Sequence, residues 1–125
     1  MKAKIEIEKG TKIKKELHSG GDDDTTLHAE CPAYYGYMID TLAEDGDPKD
    51  IIIFTDEDLQ LGDIIEVDPQ GFIEMTDNGQ QDNKYFCFKG SHIDFKQLID
   101  VKRFIAQYKE IQGDTIEFGN IIYTK

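Results

Sequence analysis

Apolar and charged residues alternate strictly from position 2 to 8, with Ala3, Ile5 and Ile7 on one side and Lys2, Lys4, Glu6 and Glu8 on the other. That period of two is the period of a half-buried strand. Gly10 and Thr11 punctuate it, and 12–17, with Ile13 and Leu17 as its apolar residues, reads as a weak edge strand whose lysines discourage pairing between sheets. Positions 18–26, HSGGDDDTT, lack an apolar anchor and predict a mobile acidic loop.

The segment 33–42, AYYGYMIDTL, fits two periods. As a strand it aligns Tyr35, Tyr37, Ile39 and Thr41 on one face; as a helix it aligns Tyr34, Tyr37, Met38 and Leu42, with Pro32 in the first turn. Gly36 weakens both, and the tyrosines tip the reading toward strand. After a turn at 43–50, the run IIIFT at 51–55 is short, β-branched and apolar enough to be a strand buried on both faces.

Leu61 and Gly62 lead into a strand at 63–68; Pro69, Gln70 and Gly71 supply a tight turn, and 72–76 returns as the second arm of a hairpin. With KYFCFK at 84–89 these segments predict an antiparallel meander. Ser91 followed by Asp94 resembles a capping box, after which Phe95, Leu98, Val101, Ile105 and Tyr108 recur at helical spacing until Gly113. One amphipathic helix therefore spans about 92–111. The end of the chain, TIEF-GN-IIYT, is a short hairpin or one bulged strand.

These elements define an α+β fold: a mainly antiparallel sheet or partly open barrel of six to eight short strands, with the helix packed on one face and residues 1–125 forming a single domain. Thirty-eight per cent hydrophobic residues in 125 suffice for a core. Cys31 and Cys87 are too few for a disulfide framework, and no apolar run suggests a leader or a membrane span, so a cytoplasmic protein with reduced thiols is expected.

Charge changes the picture. The net charge is −12, and residues 18–83 hold eighteen Asp and Glu against Lys49 alone, whereas both flanks are mildly basic. Such a field repels nucleic acid and anionic membranes and steers basic proteins inward. If the carboxylates crowd one face, mutual repulsion raises their pKa values, and folding becomes more favourable as pH falls from 7 toward about 5.

Candidate chemistry adds little to this. Asp45, Gly46, Asp47 and Asp50 resemble the start of a calcium loop, but Lys49, Asp50 and Asp56 occupy positions where that loop needs a ligand, a glycine and a glutamate. Asp22, Asp23 and Asp24 are adjacent and cannot converge on one ion, and His28 with Cys31 gives only two zinc ligands. The same two residues are the best thiolate pair, while Cys87 reads as a packed apolar residue. No phosphate loop, nucleophile elbow or HExxH helix is present. The expectation is therefore a protein without catalytic residues, metal or cofactor: a non-enzymatic acidic binder that inhibits a basic partner protein, in the manner of an immunity protein or nucleic-acid mimic. Its contacts would come from Asp22, Asp23, Asp24, Glu44, Asp45, Asp47, Asp56, Glu57 and Asp58, with Tyr35 and Tyr37 as anchors. A self-assembling structural protein is the alternative, and a small-ligand binder or enzyme ranks third.

Overall fold

The computed structural model describes residues 1–15, 17, 24–44, 46–90 and 92–124, with Asp24 described by its backbone. Among these, the strands are β1 (Lys2–Ile7), β2 (Ile13–Lys15), β3 (Asp24–Thr26), β4 (Tyr34–Met38), β5 (Asp50–Phe54), β6 (Ile64–Glu66), β7 (Gly71–Asp77), β8 (Gln80–Gln81), β9 (Lys84–Phe88) and β10 (Ile116–Tyr123). The helix α1 (Phe95–Ile111) lies between β9 and β10. The sheet runs β10-β7-β9-β5-β4-β1-β2-β3, with β6 added to β1 and β8 to β7. Its ends, β10 and β3, do not pair with each other among the described residues, so the path is open, and its ten strands exceed the six to eight expected.

Strand β5 shows why the sheet is two-sided. Ile51 and Ile53 enter one core with Ala3, Ile5, Tyr34, Met38 and Cys87. Ile52 and Phe54 enter the other, with Phe86, Phe88 and the buried helix residues Leu98, Val101, Phe104 and Ile105. A strand buried on both faces suits a parallel neighbour, and β5 does pair parallel with β9, Ile51 opposite Tyr85 and Phe54 opposite Phe88. The rest of the sheet is antiparallel. Cys87 packs as the apolar residue that alternation placed it to be.

The hairpin expected at 63–76 does not form. β6 leaves its chain neighbour and pairs with β1, Lys2 opposite Glu66, while β7 pairs with β9 and β10. The tight turn expected at 69–71 is absent as well: residues 67–70 form neither a turn nor a bend, and Gly71 opens β7 without a positive φ. Of the segment 33–42, Tyr34–Met38 forms strand β4, with Tyr34 and Tyr35 in opposite cores, while 39–40 turn and 41–42 lie outside the strand. Gly36 is required there, because a Cβ would stand 2.1 Å from the Lys4 carbonyl oxygen. Of the loop expected at 18–26, residues 18–23 lie outside the described residues and 24–26 form β3, paired with β2.

The helix starts at Phe95 rather than 92. Asp94 is its N-cap and accepts a hydrogen bond from the Lys96 N–H at 2.9 Å, whereas Ser91 lies outside the described residues. Phe95 is 56% exposed, and Phe104 rather than Phe95 completes the core stripe. Gly113, at φ 87°, ends the helix, and the last strand runs through a register shift between Phe118 and Ile121.

Candidate active site

A cleft of about 220 Å³ opens where β1, β2, β4, β5 and β9 meet the C-terminal end of α1. Its apolar floor includes Ile7, Leu27, Phe104 and Ile105. Its polar wall carries three cations, Lys14, Lys84 and Lys109, and four carboxylates, Glu6, Asp47, Asp50 and Asp82. Tyr35, Tyr108 and Gln112 complete it.

Lys84 is the centre of this wall. Only 2% of its side chain is exposed, and Nζ pairs with Asp50 and, at 3.0 Å, with Asp82 Oδ2. Asp50 precedes Ile51 just as Lys84 precedes Tyr85, so the ion pair is the next rung of the parallel ladder. The Tyr35 ring, brought alongside by β4, lies 5.8 Å from Lys84 Nζ. Lys109 is held by Asp77, whose Oδ2 is 3.1 Å away. The other oxygen of Asp77 is buried and has no hydrogen-bond partner among the described residues.

Burial and pairing compete at each group. For Lys84, burial alone would favour loss of the proton; its interaction with Tyr35 and the charges of Asp50 and Asp82 outweigh that and push the ammonium well above its ordinary range. For Asp50, burial alone would raise the pKa, but the charge and hydrogen bond of Lys84, the charge of Lys14 and a hydrogen bond from Tyr35 hold it below the usual carboxylate range. Burial, with Asp50 and Asp82 nearby, pushes the Tyr35 hydroxyl well above its usual value, so at neutral pH it is a hydrogen-bond donor and not a phenolate. The pair of charges is thus kept ionised in a water-poor wall, a condition found at functional sites.

The residues singled out from sequence scatter. Tyr35 is buried in the helix-side core and belongs to the cleft wall, which removes it as an exposed anchor; Tyr37 is half-buried. Asp47 lines the cleft. Glu44, Asp56, Glu57 and Asp58 are exposed outside it, while Asp22, Asp23 and Asp45, together with the Asp24 side chain, are not described. The Cys31–His28 pair does not form: burial pushes the thiol up to about 11, and neither His28 nitrogen has a partner among the described residues. Glu6, Lys14, Asp50, Asp77, Asp82, Lys84, Tyr108 and Lys109 were missed. The local signals for them were an Asp82-x-Lys84 pattern entering an apolar strand and a Tyr108–Lys109 pair at a helix end.

The fold is thus an α+β mixed sheet with one helix, carrying a small cleft of interleaved lysines and aspartates. The comparisons with known proteins are more specific. The family model for inorganic pyrophosphatase matches residues 3–120, and the chain belongs to that family. The inorganic pyrophosphatase of Nanoarchaeum equitans is 31% identical over 124 residues, covering 86% of this chain and 78% of its own. That of Halalkalibacterium halodurans is 31% identical over 99 residues, covering 70% and 61%. The chain spans about six-tenths of the length of the curated bacterial relatives it matches. The solved inorganic pyrophosphatase of Helicobacter pylori superposes with a TM-score of 0.84 at 24% identity, over 99% of this chain and 84% of that one.

Family membership overturns the expectation of a non-enzymatic inhibitor with a basic protein partner. Of the acids named for a binding face, Asp47 instead lines the cleft, where the fold sets lysines among the carboxylates. Among the described residues, no helix is long and apolar enough to cross a membrane.

Proposed function

We propose that the chain hydrolyses inorganic pyrophosphate, adding one water across the P–O–P bridge to release two phosphates. The observation that carries this reading is the buried Lys84 ammonium, held between Asp50 and Asp82 at the wall of a cleft of about 220 Å³, in a chain matched from 3 to 120 by the pyrophosphatase family. Pockets for drug-sized ligands run to roughly 300–1,000 Å³, so this space suits an inorganic anion better than a nucleotide. Lys14 from β2, Lys84 from β9 and Lys109 from α1 bring positive charge from three sides, which favours charge building up on the bridging and terminal oxygens. The neutral Tyr35 hydroxyl gives its one proton to Asp50 and so helps to keep that carboxylate ionised. Asp50, held below the usual carboxylate range, is a poor proton acceptor, so its role is to keep Lys84 charged and oriented.

Four carboxylates in the same wall would repel a polyanion, which points to divalent cations entering with the substrate. The residues fit such an ion. Asp47, Asp50, Asp77 and Asp82 are hard oxygen donors, and one Asp77 oxygen is buried and unpartnered among the described residues. Among those residues, no three acids, histidines or cysteines stand close enough to hold an ion unaided. That suits magnesium, which shares its coordination between a few carboxylates and substrate phosphates. When bound, it supplies charge neutralisation and a more acidic water. A cytoplasmic location accords with the two free cysteines, Cys31 and Cys87.

Phosphate release from pyrophosphate in the presence of magnesium is the test, with a nucleoside triphosphate as comparison. The folded chain should turn over pyrophosphate and largely spare the triphosphate, and Lys109→Met should lower kcat/KM at least tenfold. Absence of phosphate release from a chain with native circular dichroism would defeat the reading.

A further inference from the structure

Tyr108 enters the cleft from the last turn of α1 and is held at two points. Lys14 Nζ lies 5.8 Å from its ring centroid. Gln112, one turn further along, donates from Nε2 to the Tyr108 hydroxyl oxygen at 3.0 Å. Gln112 is also the C-cap of the helix, and its backbone N–H returns to the Tyr108 carbonyl at 3.4 Å. Main chain and side chain of one residue therefore fix the same tyrosine, and both residues line the cleft.

The direction of that bond matters. A phenol has one proton to give and an oxygen that accepts. Where the amide fills the accepting side, the phenol's own proton is left for another acceptor, and the cleft is the space the ring borders. We propose that Gln112 is a positioning residue that orients the Tyr108 hydroxyl as a donor to a phosphate oxygen. The identity of that anion rests on the pyrophosphatase reading; the orienting role does not. A carboxylate at 112 would have the opposite effect. It can only accept, so it would draw the phenol proton to itself and turn the oxygen's lone pairs toward the anion.

Gln112→Met keeps the size and removes the hydrogen bond, and Gln112→Glu reverses it. The expected result is a KM for pyrophosphate raised about three- to tenfold in Gln112→Met, the worth of one hydrogen bond, with kcat within about twofold, and a larger rise in Gln112→Glu. Both effects should shrink below about twofold when introduced into Tyr108→Phe. An equal rise in the two backgrounds overturns the proposal, because Gln112 would then act on the anion or on the fold directly. A second readout needs no turnover: the Cζ resonance of ¹³C-labelled Tyr108, assigned through Tyr108→Phe, followed during titration with inorganic phosphate. It should move in the native chain and move less in Gln112→Met. Should the native chain release no phosphate from pyrophosphate, the functional reading fails while this titration still decides Gln112. An identical response in both chains, or none in the native one, overturns the orienting role.

Discussion

Individual side chains in this protein are set against their preferences, and the consequences have definite signs. Asp50 titrates below its unfolded value of about 3.9, because Lys84, Lys14 and Tyr35 outweigh its burial. Its contribution to stability is complete above that unfolded value and is lost as pH falls through the native pKa. Lys84 titrates above its unfolded value of about 10.4, so its contribution is complete below that value and is lost only as pH rises through the native one. The pair is therefore intact across the neutral range. Mutual repulsion among the acids predicted stabilisation on acidification; at Asp50 the sign is opposite. Urea melts between pH 7 and pH 3 should show native stability dropping below about pH 4 and Asp50→Asn dropping less. Parallel curves would place the acid lability elsewhere. His28 presents the reverse situation. Its ring lies 4.8 Å from that of Phe104, with both nitrogens buried and unpartnered among the described residues. An apolar ring of similar shape removes that desolvation cost, so His28→Phe should stabilise the chain by about 1 kcal/mol. A lower melting temperature would mean that the imidazole has a partner.

At the scale of elements, helix α1 carries both core and site, and the two can be separated. Leu98 is fully buried, and Leu98→Ala should cost about 2–5 kcal/mol. Asp94→Ala should cost about 1 kcal/mol by leaving the Lys96 N–H uncapped. Thermal melts of the two variants would check both the face and the start of the helix. Periodicity located this helix and strand β1, each with its own apolar repeat, and an unbroken β-branched run located β5. Periodicity misplaced β6, because 63–68 looks the same whether it turns back on 72–76 or crosses to Lys2–Lys4. The calcium-like spacing at 45–56 failed as a calcium loop, yet it contains Asp47 and Asp50, two carboxylates that the fold brings into the cleft. Asp50 meets Lys84, a strand's opening residue that sequence alone presents as solvated.

For the whole molecule, the cleft draws on residue 6 and residue 109 alike, with contributions from most segments between. That convergence is why charge counting led to a surface-binding reading: acidity along a chain does not reveal which acids the fold turns inward to face lysines. It also predicts that loss of the proposed pyrophosphate turnover in urea coincides with loss of the sheet's circular dichroism. An earlier loss of turnover would show that one contributing segment opens by itself. The parallel joining of β5 to β9 has a further consequence. Some thirty residues separate these strands, so bringing them together carries a loop-closure cost, and their register is set by which side chains each face accepts. Because Lys84 and Asp50 form the terminal rung, a slip of one residue would turn every side chain of one strand to the wrong face and leave an ammonium in apolar surroundings. The same two charges that line the cleft therefore penalise the wrong register: a pairing one residue out would bury the ammonium away from its carboxylates.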